Sequence, residues 1–164
     1  MIKINDFYLE KLDIYGKHYG LIQGMSLDDK IRAYIDRDFF VWLENHQAVS
    51  DEKIEVGKMY AIIKEGIELG VIGSSGDLKD GILNVVYAIK KNMRNRGYGQ
   101  KILEEVTFYY LENIKGIKGI KLEIDKSNKA SKGVANNNSY IKTEGLNEKG
   151  LEEWYYYNNY KKMR

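Results

Sequence analysis

The stretch "RNRGYGQ", residues 94–100, decides how this chain reads. Two arginines and two glycines stand between an apolar run, "ILNVVYAI" (82–89), and a helical pattern, "QKILEEVTFYYLENI" (100–114). Peptide N–H groups at a helix start have no partners within the helix, and the helix dipole makes that end positive. Glycines let the backbone come close to a ligand. A cationic, glycine-containing turn at that place is a cradle for an anion, and a pyrophosphate fits it.

Two familiar phosphate loops do not match. No G-x-x-x-x-G-K-[ST] string occurs, and Gly97-Tyr98-Gly99 is followed by Gln100, Lys101 and Ile102 with no third glycine of a dinucleotide fingerprint. Taken alone, the turn also reads as a plain strand-to-helix connection whose arginines are solvated.

Outward from the turn, the elements follow by periodicity. "KMYAII" (58–63) and "ELGVIG" (68–73) read as a hairpin, "SSGDLKDG" as a polar turn, and 82–89 as the third strand of an antiparallel series. A helix is expected over 99–114 with Leu103, Val106, Tyr110 and Ile114 on its apolar side. "GIKLEID" (119–125) reads as a strand, "NKASKGVANNN" (128–138) as a short helix, and "YIKTEG" and "EEWYYYNNYKK" as closing strands. Near the start, "IKI" (2–4) is a short strand. Tyr8, Leu12, Tyr15, Tyr19 and Ile22 predict a helix over 8–22, weakened by Gly16 and Gly20. Ser26 and Asp29 resemble a capping box opening a second helix to residue 44, with Ile31, Tyr34, Ile35, Phe39 and Trp42 as its stripe. The order predicts an α+β fold: one mixed sheet of about six to seven strands with helices on its faces, in one domain over 1–164.

Composition narrows the chemistry. The 164 residues are 43% hydrophobic and 30% charged, ordinary for a globular chain, and the net charge of +2 gives no reason to expect nucleic acid as a partner. Without cysteine there is no disulfide, thiolate metal site or cysteine nucleophile, and the expected home is the cytoplasm. His18 and His46 are the only imidazoles; both are expected at the surface, and no metal site is expected. No apolar run approaches membrane-spanning length, and "MIKINDFYLEKLD" lacks a signal-peptide core, so no membrane partner is expected.

The string R-x-x-G-x-G, at Arg94, Gly97 and Gly99, resembles the coenzyme A pyrophosphate loop of the GNAT acetyltransferases. "LEIDKSNKASKGVANNNSY" (122–140) is similar to that family's L-x-V-x-x-x-N-x-x-[AS] segment through Leu122, Ile124, Asn128 and Ser131. "YAI" resembles the G-Y-W-I strand of relatives that acetylate ribosomal-protein N-termini or polyamines. The resemblance covers roughly 58–144. It implies an acetyl-CoA-dependent N-acetyltransferase of GNAT-like fold, in which the acceptor amine attacks the thioester directly. Acetyl-CoA would lie where strands 82–89 and 119–125 splay apart. The cofactor-binding residues it implies are Ala88, Ile89, Arg94, Asn95, Arg96, Gly97, Tyr98, Gly99, Gln100, Asn128 and Ser131. Asn128 is equally readable as a helix N-cap.

The acid–base half departs from the family. A tyrosine that would protonate the leaving thiolate is replaced by Ala135, and a strand glutamate that would act as base by Asn84. Glu68 and Glu123 are the remaining candidate bases, each also readable as a solvent-facing strand position. Tyr87 and Tyr140 are the hydroxyls nearest the cleft by alignment, and core packing is the other reading for Tyr87. With Ala135 in the acid position, no single essential acid is expected. The helices before residue 44 would roof the acceptor site. Asp28, Asp29, Asp36, Asp38 and Glu44 there suit a cationic amine such as a polyamine or a peptide N-terminus, or merely make a soluble face with Lys30, Arg32 and Arg37. The tyrosine-rich tail is readable as an edge strand in a homodimer. An acyl-CoA-binding module with little turnover stays open beside the enzyme.

Overall fold

The computed structural model describes residues 1–34 and 38–158. Its center is an eight-stranded sheet in the order β1-β2-β3-β4-β5-β6-β8-β7. The strands are β1 (Ile2–Ile4), β2 (Phe7–Lys11), β3 (Met59–Lys64), β4 (Ile67–Lys79), β5 (Ile82–Ile89), β6 (Gly119–Ile124), β7 (Ile141–Lys142) and β8 (Glu152–Tyr157). Every neighbouring pair is antiparallel except β5 with β6.

Helices cover both faces, as alternating apolar residues on the strands require. On one face α1 (Tyr19–Ser26), α2 (Asp29–Tyr34) and α3 (Phe39–Glu44) bury Leu21, Ile22, Ile31 and Leu43 against Ala61, Ile63, Val71 and Ala88. On the other, α4 (Tyr98–Asn113) and α5 (Lys129–Asn137) pack Leu103, Val106, Tyr110 and Ala135 over Leu83, Val85, Ile120 and Leu122. The predicted apolar side of α4 is the buried one.

The parallel seam between β5 and β6 is short. Ile82, Leu83 and Asn84 pair with Gly119, Ile120 and Lys121, while β5 runs on to Ile89 and β6 to Ile124 without pairing to each other. The carboxyl ends of the two strands therefore separate, and α4 and α5 begin just beyond them. Open α/β sheets bind ligands at such places.

Several expectations change. The predicted helix over 8–22 is instead β2 followed by a late α1. Asn5-Asp6 makes a two-residue hairpin with Ile4 opposite Phe7, and "FYLEK" alternates across the sheet, so period two wins over the coincidental stripe. Ser26 ends α1, its hydroxyl donating to the Ile22 carbonyl, and does not open a helix. The second expected helix is two: Asp28 accepts from the Lys30 N–H at the start of α2, and Asp38 caps α3 through the Val41 N–H. Ile35, Asp36 and Arg37 lie outside the described residues. "SSGDLK" belongs to β4, which bulges between Ser75 and Lys79, and the turn is Asp80-Gly81. The tail strand β8 lies between β6 and β7, so it is not the edge; two-residue β7 is. Residues 159–162 of the expected strand lie outside the described residues.

Candidate functional site

A short 3-10 turn (Lys91–Met93) carries the chain from β5 into the 94–100 stretch. Arg94 turns back on that strand, its Nε donating to the Ile89 carbonyl at 2.9 Å. Asn95 has φ 62°, a left-handed conformation that asparagine tolerates, and Gly97 has φ 83° as the residue preceding α4. Two left-handed residues so close together curl the backbone into a concave nest of N–H groups. The backbone N–H groups of Asn95, Arg96, Gly97, Tyr98, Gly99 and Gln100 find no acceptor among the described residues, and Gly97 offers no side-chain cap. Gly99 is ordinary in its own backbone; a Cβ there would meet Ile89, Tyr87 and Val134 only at 3.6 Å or more. The protein itself does not need a glycine at 99. Arg96 is exposed and has no ion pair among the described residues. The Gln100 side chain is held by the Asn137 amide at 2.9 Å, which ties the start of α4 to the end of α5.

Tyr87 stands in the separating half of β5, on the α4–α5 face. Its hydroxyl is buried without a hydrogen-bond partner. Burial pushes this phenol up to about 12, while nearby Ser131 pulls it the other way. A neutral, unpartnered O–H is a donor in waiting. Asn128 is the N-cap of α5, accepting from the Ser131 N–H at 3.2 Å, so the capping reading of Asn128 holds. Ala88 pairs with Val71, and the Ile89 carbonyl is already taken by Arg94.

On the opposite face, Asn84 ends the paired seam and Glu123 lies just past it. The Asn84 amide donates to Glu123 Oε1 at 3.0 Å and to the Ser75 hydroxyl at 2.8 Å, while its own Oδ1 is buried without a partner. Asn147 donates to Glu123 Oε2 at 2.6 Å, and Lys149 approaches at 3.4 Å. The Glu123 side chain is 11% exposed, so it is not a solvent-facing strand position. The other two candidates lie elsewhere. Tyr140 is in the core, its hydroxyl 2.6 Å from Thr107 on α4. Glu68 is at the start of β4, 3.8 Å from His18. Sequence reasoning missed Asn147 and Ser75; only the folded hairpin between β7 and β8 brings Asn147 to the seam, and no local signal marks it.

The architecture has solved counterparts. The chain has the fold of the GNAT acetyltransferases. A spermidine N-acetyltransferase from Vibrio cholerae, in complex with CoA and spermine, superposes with a TM-score of 0.71 at 11% identity, over 94% of this chain and 96% of its own. A GNAT-family acetyltransferase from Bacillus anthracis gives 0.71 at 16% identity, over 94% and 95%. The aminoglycoside acetyltransferase AAC(6')-Ib, with coenzyme A and kanamycin, gives 0.70 at 12%, over 96% and 98%. Enzymes of different acceptors match alike, so the likeness singles out no branch. No family model and no curated protein matches the chain.

Among the described residues, three of the acids expected over the acceptor site have partners of their own. Asp28 faces Arg94, Asp38 caps α3, and Glu44 accepts from the Tyr15 hydroxyl; Asp36 lies outside the described residues. The histidines are also corrected. His18 is 1% exposed, and His46 is half-buried, stacked on Trp42 with Nδ1 2.6 Å from the Trp42 carbonyl. The Asp13 N–H donates to His18 Nδ1 at 2.8 Å, which leaves the ring proton on Nε2, 2.7 Å from Glu10 Oε1. Burial alone would raise the Glu10 carboxyl, but hydrogen bonds from Lys17 and His18 outweigh it and hold it below 4.5. A depressed carboxyl contributes stability that is fully present above its unfolded value and is lost as pH falls through the folded one. We therefore expect Glu10→Gln to lower the urea midpoint at neutral pH and to flatten the decline of that midpoint below 4.5. A variant with the wild-type acid limb would show that the pair contributes nothing to it.

Proposed function

We propose that this chain is an acetyl-CoA-dependent N-acyltransferase that transfers an acetyl group to a primary amine in a ternary complex. The observation that carries the reading is the run of unpartnered N–H groups from Asn95 to Gln100, at the mouth of the β5–β6 opening. Such a run suits a pyrophosphate, with Arg96 adding charge. Support also comes from the solved proteins of the same fold: the spermidine and aminoglycoside acetyltransferases were both obtained with coenzyme A. Ala88, Ile89, Asn128 and Ser131 would line the pantetheine arm.

In the reaction the amine nitrogen attacks the thioester carbonyl carbon, the C–S bond breaks, and sulfur leaves as thiolate. Glu123, steadied by Asn84 and Asn147, is the carboxylate we assign to take the proton released by the amine. The buried acceptor Oδ1 of Asn84 would orient an amine N–H beside it. Tyr87, neutral across the working pH range, would donate to the departing sulfur. A thiol has an ordinary pKa of about 8.5, so that donation is a modest help. Tyr140 and Glu68 take no part in this reading. An amine as acceptor is suggested by the spermidine and aminoglycoside acetyltransferases of the same fold.

Thiol release from acetyl-CoA with a panel of polyamines, peptides and aminoglycosides tests the proposal. Turnover with any of them supports the enzyme; tight CoA binding with turnover of none supports a binding module. Tyr87→Phe should slow the best amine by roughly tenfold to a hundredfold, the low end of general acid catalysis. An unchanged rate would show that Tyr87 is not the acid.

Gly99→Ala separates fold from ligand. Alanine is the better helix former and meets no clash at 99, so the variant should gain about 0.4–1 kcal/mol in urea unfolding. The same methyl would stand between the backbone and a pyrophosphate. CoA affinity by calorimetry should fall at least about tenfold, or about 1.4 kcal/mol. Retained affinity in the stabilised variant would remove the cradle from the proposal.

A further inference from the structure

We infer that Asp28 competes with a bound anion for the Arg94 guanidinium, so that filling the 94–100 turn loosens the α1–α2 connection. The inference rests on that turn being an anion cradle, but not on coenzyme A being the anion. Arg94 Nη2 lies 2.6 Å from Asp28 Oδ2, and the two side chains are 21% and 7% exposed. Asp28 sits between α1 and α2, and its other oxygen accepts the Lys30 N–H at 3.0 Å, at the start of α2. One carboxylate thus joins a roof helix to the turn. Burial works against this charge, yet Arg94 and the Lys30 N–H hold the carboxyl below its ordinary value, with Lys91 adding to the attraction.

The same contact weakens the cradle. A carboxylate in contact with a guanidinium cancels much of its field a few ångströms away, where a phosphate would sit. Arg96, exposed and without an ion pair among the described residues, keeps its full charge for the ligand. Arg94 has a rival partner already in place. Coupling between sites is reciprocal: whatever Asp28 subtracts from anion affinity, the anion subtracts from the Asp28–Arg94 bond. When that bond weakens, α2 keeps its Asp28–Lys30 hydrogen bond and loses this ion pair to the turn. The helices α1–α3 pack on Val71 and Ala88, a rung of β4 and β5 within the unpaired stretch of β5, so release there uncovers the face from which an acceptor would enter. Anion first, acceptor second is the order this arrangement favours.

The test uses inorganic pyrophosphate as the probe. Asp28→Asn keeps an oxygen to accept the Lys30 N–H and removes only the charge; Asp28→Ser does the same should the first variant fold poorly. By calorimetry, Asp28→Asn should bind pyrophosphate about fivefold tighter or more, at the low end of ordinary site-to-site coupling. The gain should vanish in an Arg94→Gln background, which a purely structural role for Asp28 would not produce. Amide exchange over 21–33 should quicken when pyrophosphate is added to the wild type and already be quick in Asp28→Asn. Equal or weaker binding by Asp28→Asn, a gain that survives Arg94→Gln, exchange that does not respond, or a wild type that takes up no pyrophosphate would each overturn the inference. Should pyrophosphate behave as expected while coenzyme A does not bind, the inference stands and the coenzyme A reading falls.

Discussion

The seam between β5 and β6 closes over Ile82–Asn84 and then opens, and the rest of the molecule is arranged to let it. A strand that loses its neighbour exposes backbone groups that must be satisfied elsewhere. Here each strand is held from its other side. β5 is paired with β4 from Asn84 opposite Ser75 to Ile89 opposite Gly70, and β6 with β8 from Gly119 opposite Tyr157 to Ile124 opposite Glu152. The sheet therefore stays continuous while one ladder is withheld. The packing of α4 and α5 over Leu83, Val85, Ile120 and Leu122 then fixes how the two halves stand on that face.

The opening gathers chemistry because its two faces differ. Toward α4 and α5 lies the main apolar core, and burial there raises the Tyr87 phenol and keeps it a donor. On the reverse face Ser75, Asn84, Glu123 and Asn147 form a hydrogen-bonded row with one oxygen to spare, that of Asn84. One face of the opening thus offers a donor and the other offers acceptors. Asn84 and Ala135 stand where the resemblance implies a glutamate and a tyrosine, and a carboxylate, Glu123, and a hydroxyl, that of Tyr87, lie on β6 and β5.

What the sequence made legible was local or strongly periodic. The α4 stripe, the β3–β4–β5 series and the 94–100 turn all carry their signal within a few residues. The failures have a common origin. Tyr8, Leu12, Tyr15 and Tyr19 satisfy a helical period by accident, while the Asn5-Asp6 hairpin that decides the matter spans only two residues. His18 reads as a surface residue because its partners, Asp13 and Glu10, look solvated in sequence; folding makes the three satisfy one another. Asn147 and Asp28 reach their partners across 24 and 66 residues (147 − 123 and 94 − 28), and such pairings are set by topology alone.

The roof is consequently held by two fastenings of unlike character. At the start of α1, His18 is buried, its ring nitrogens both engaged by groups of the β2 region, and solvent ions have no access to them. At the start of α2, Asp28 is held by a guanidinium that belongs to the 94–100 turn. A hydrogen bond buried away from solvent does not share a partner with an arriving anion, whereas an ion pair that shares its cation with the anion does. The same electrostatic event therefore acts on one end of the roof and spares the other.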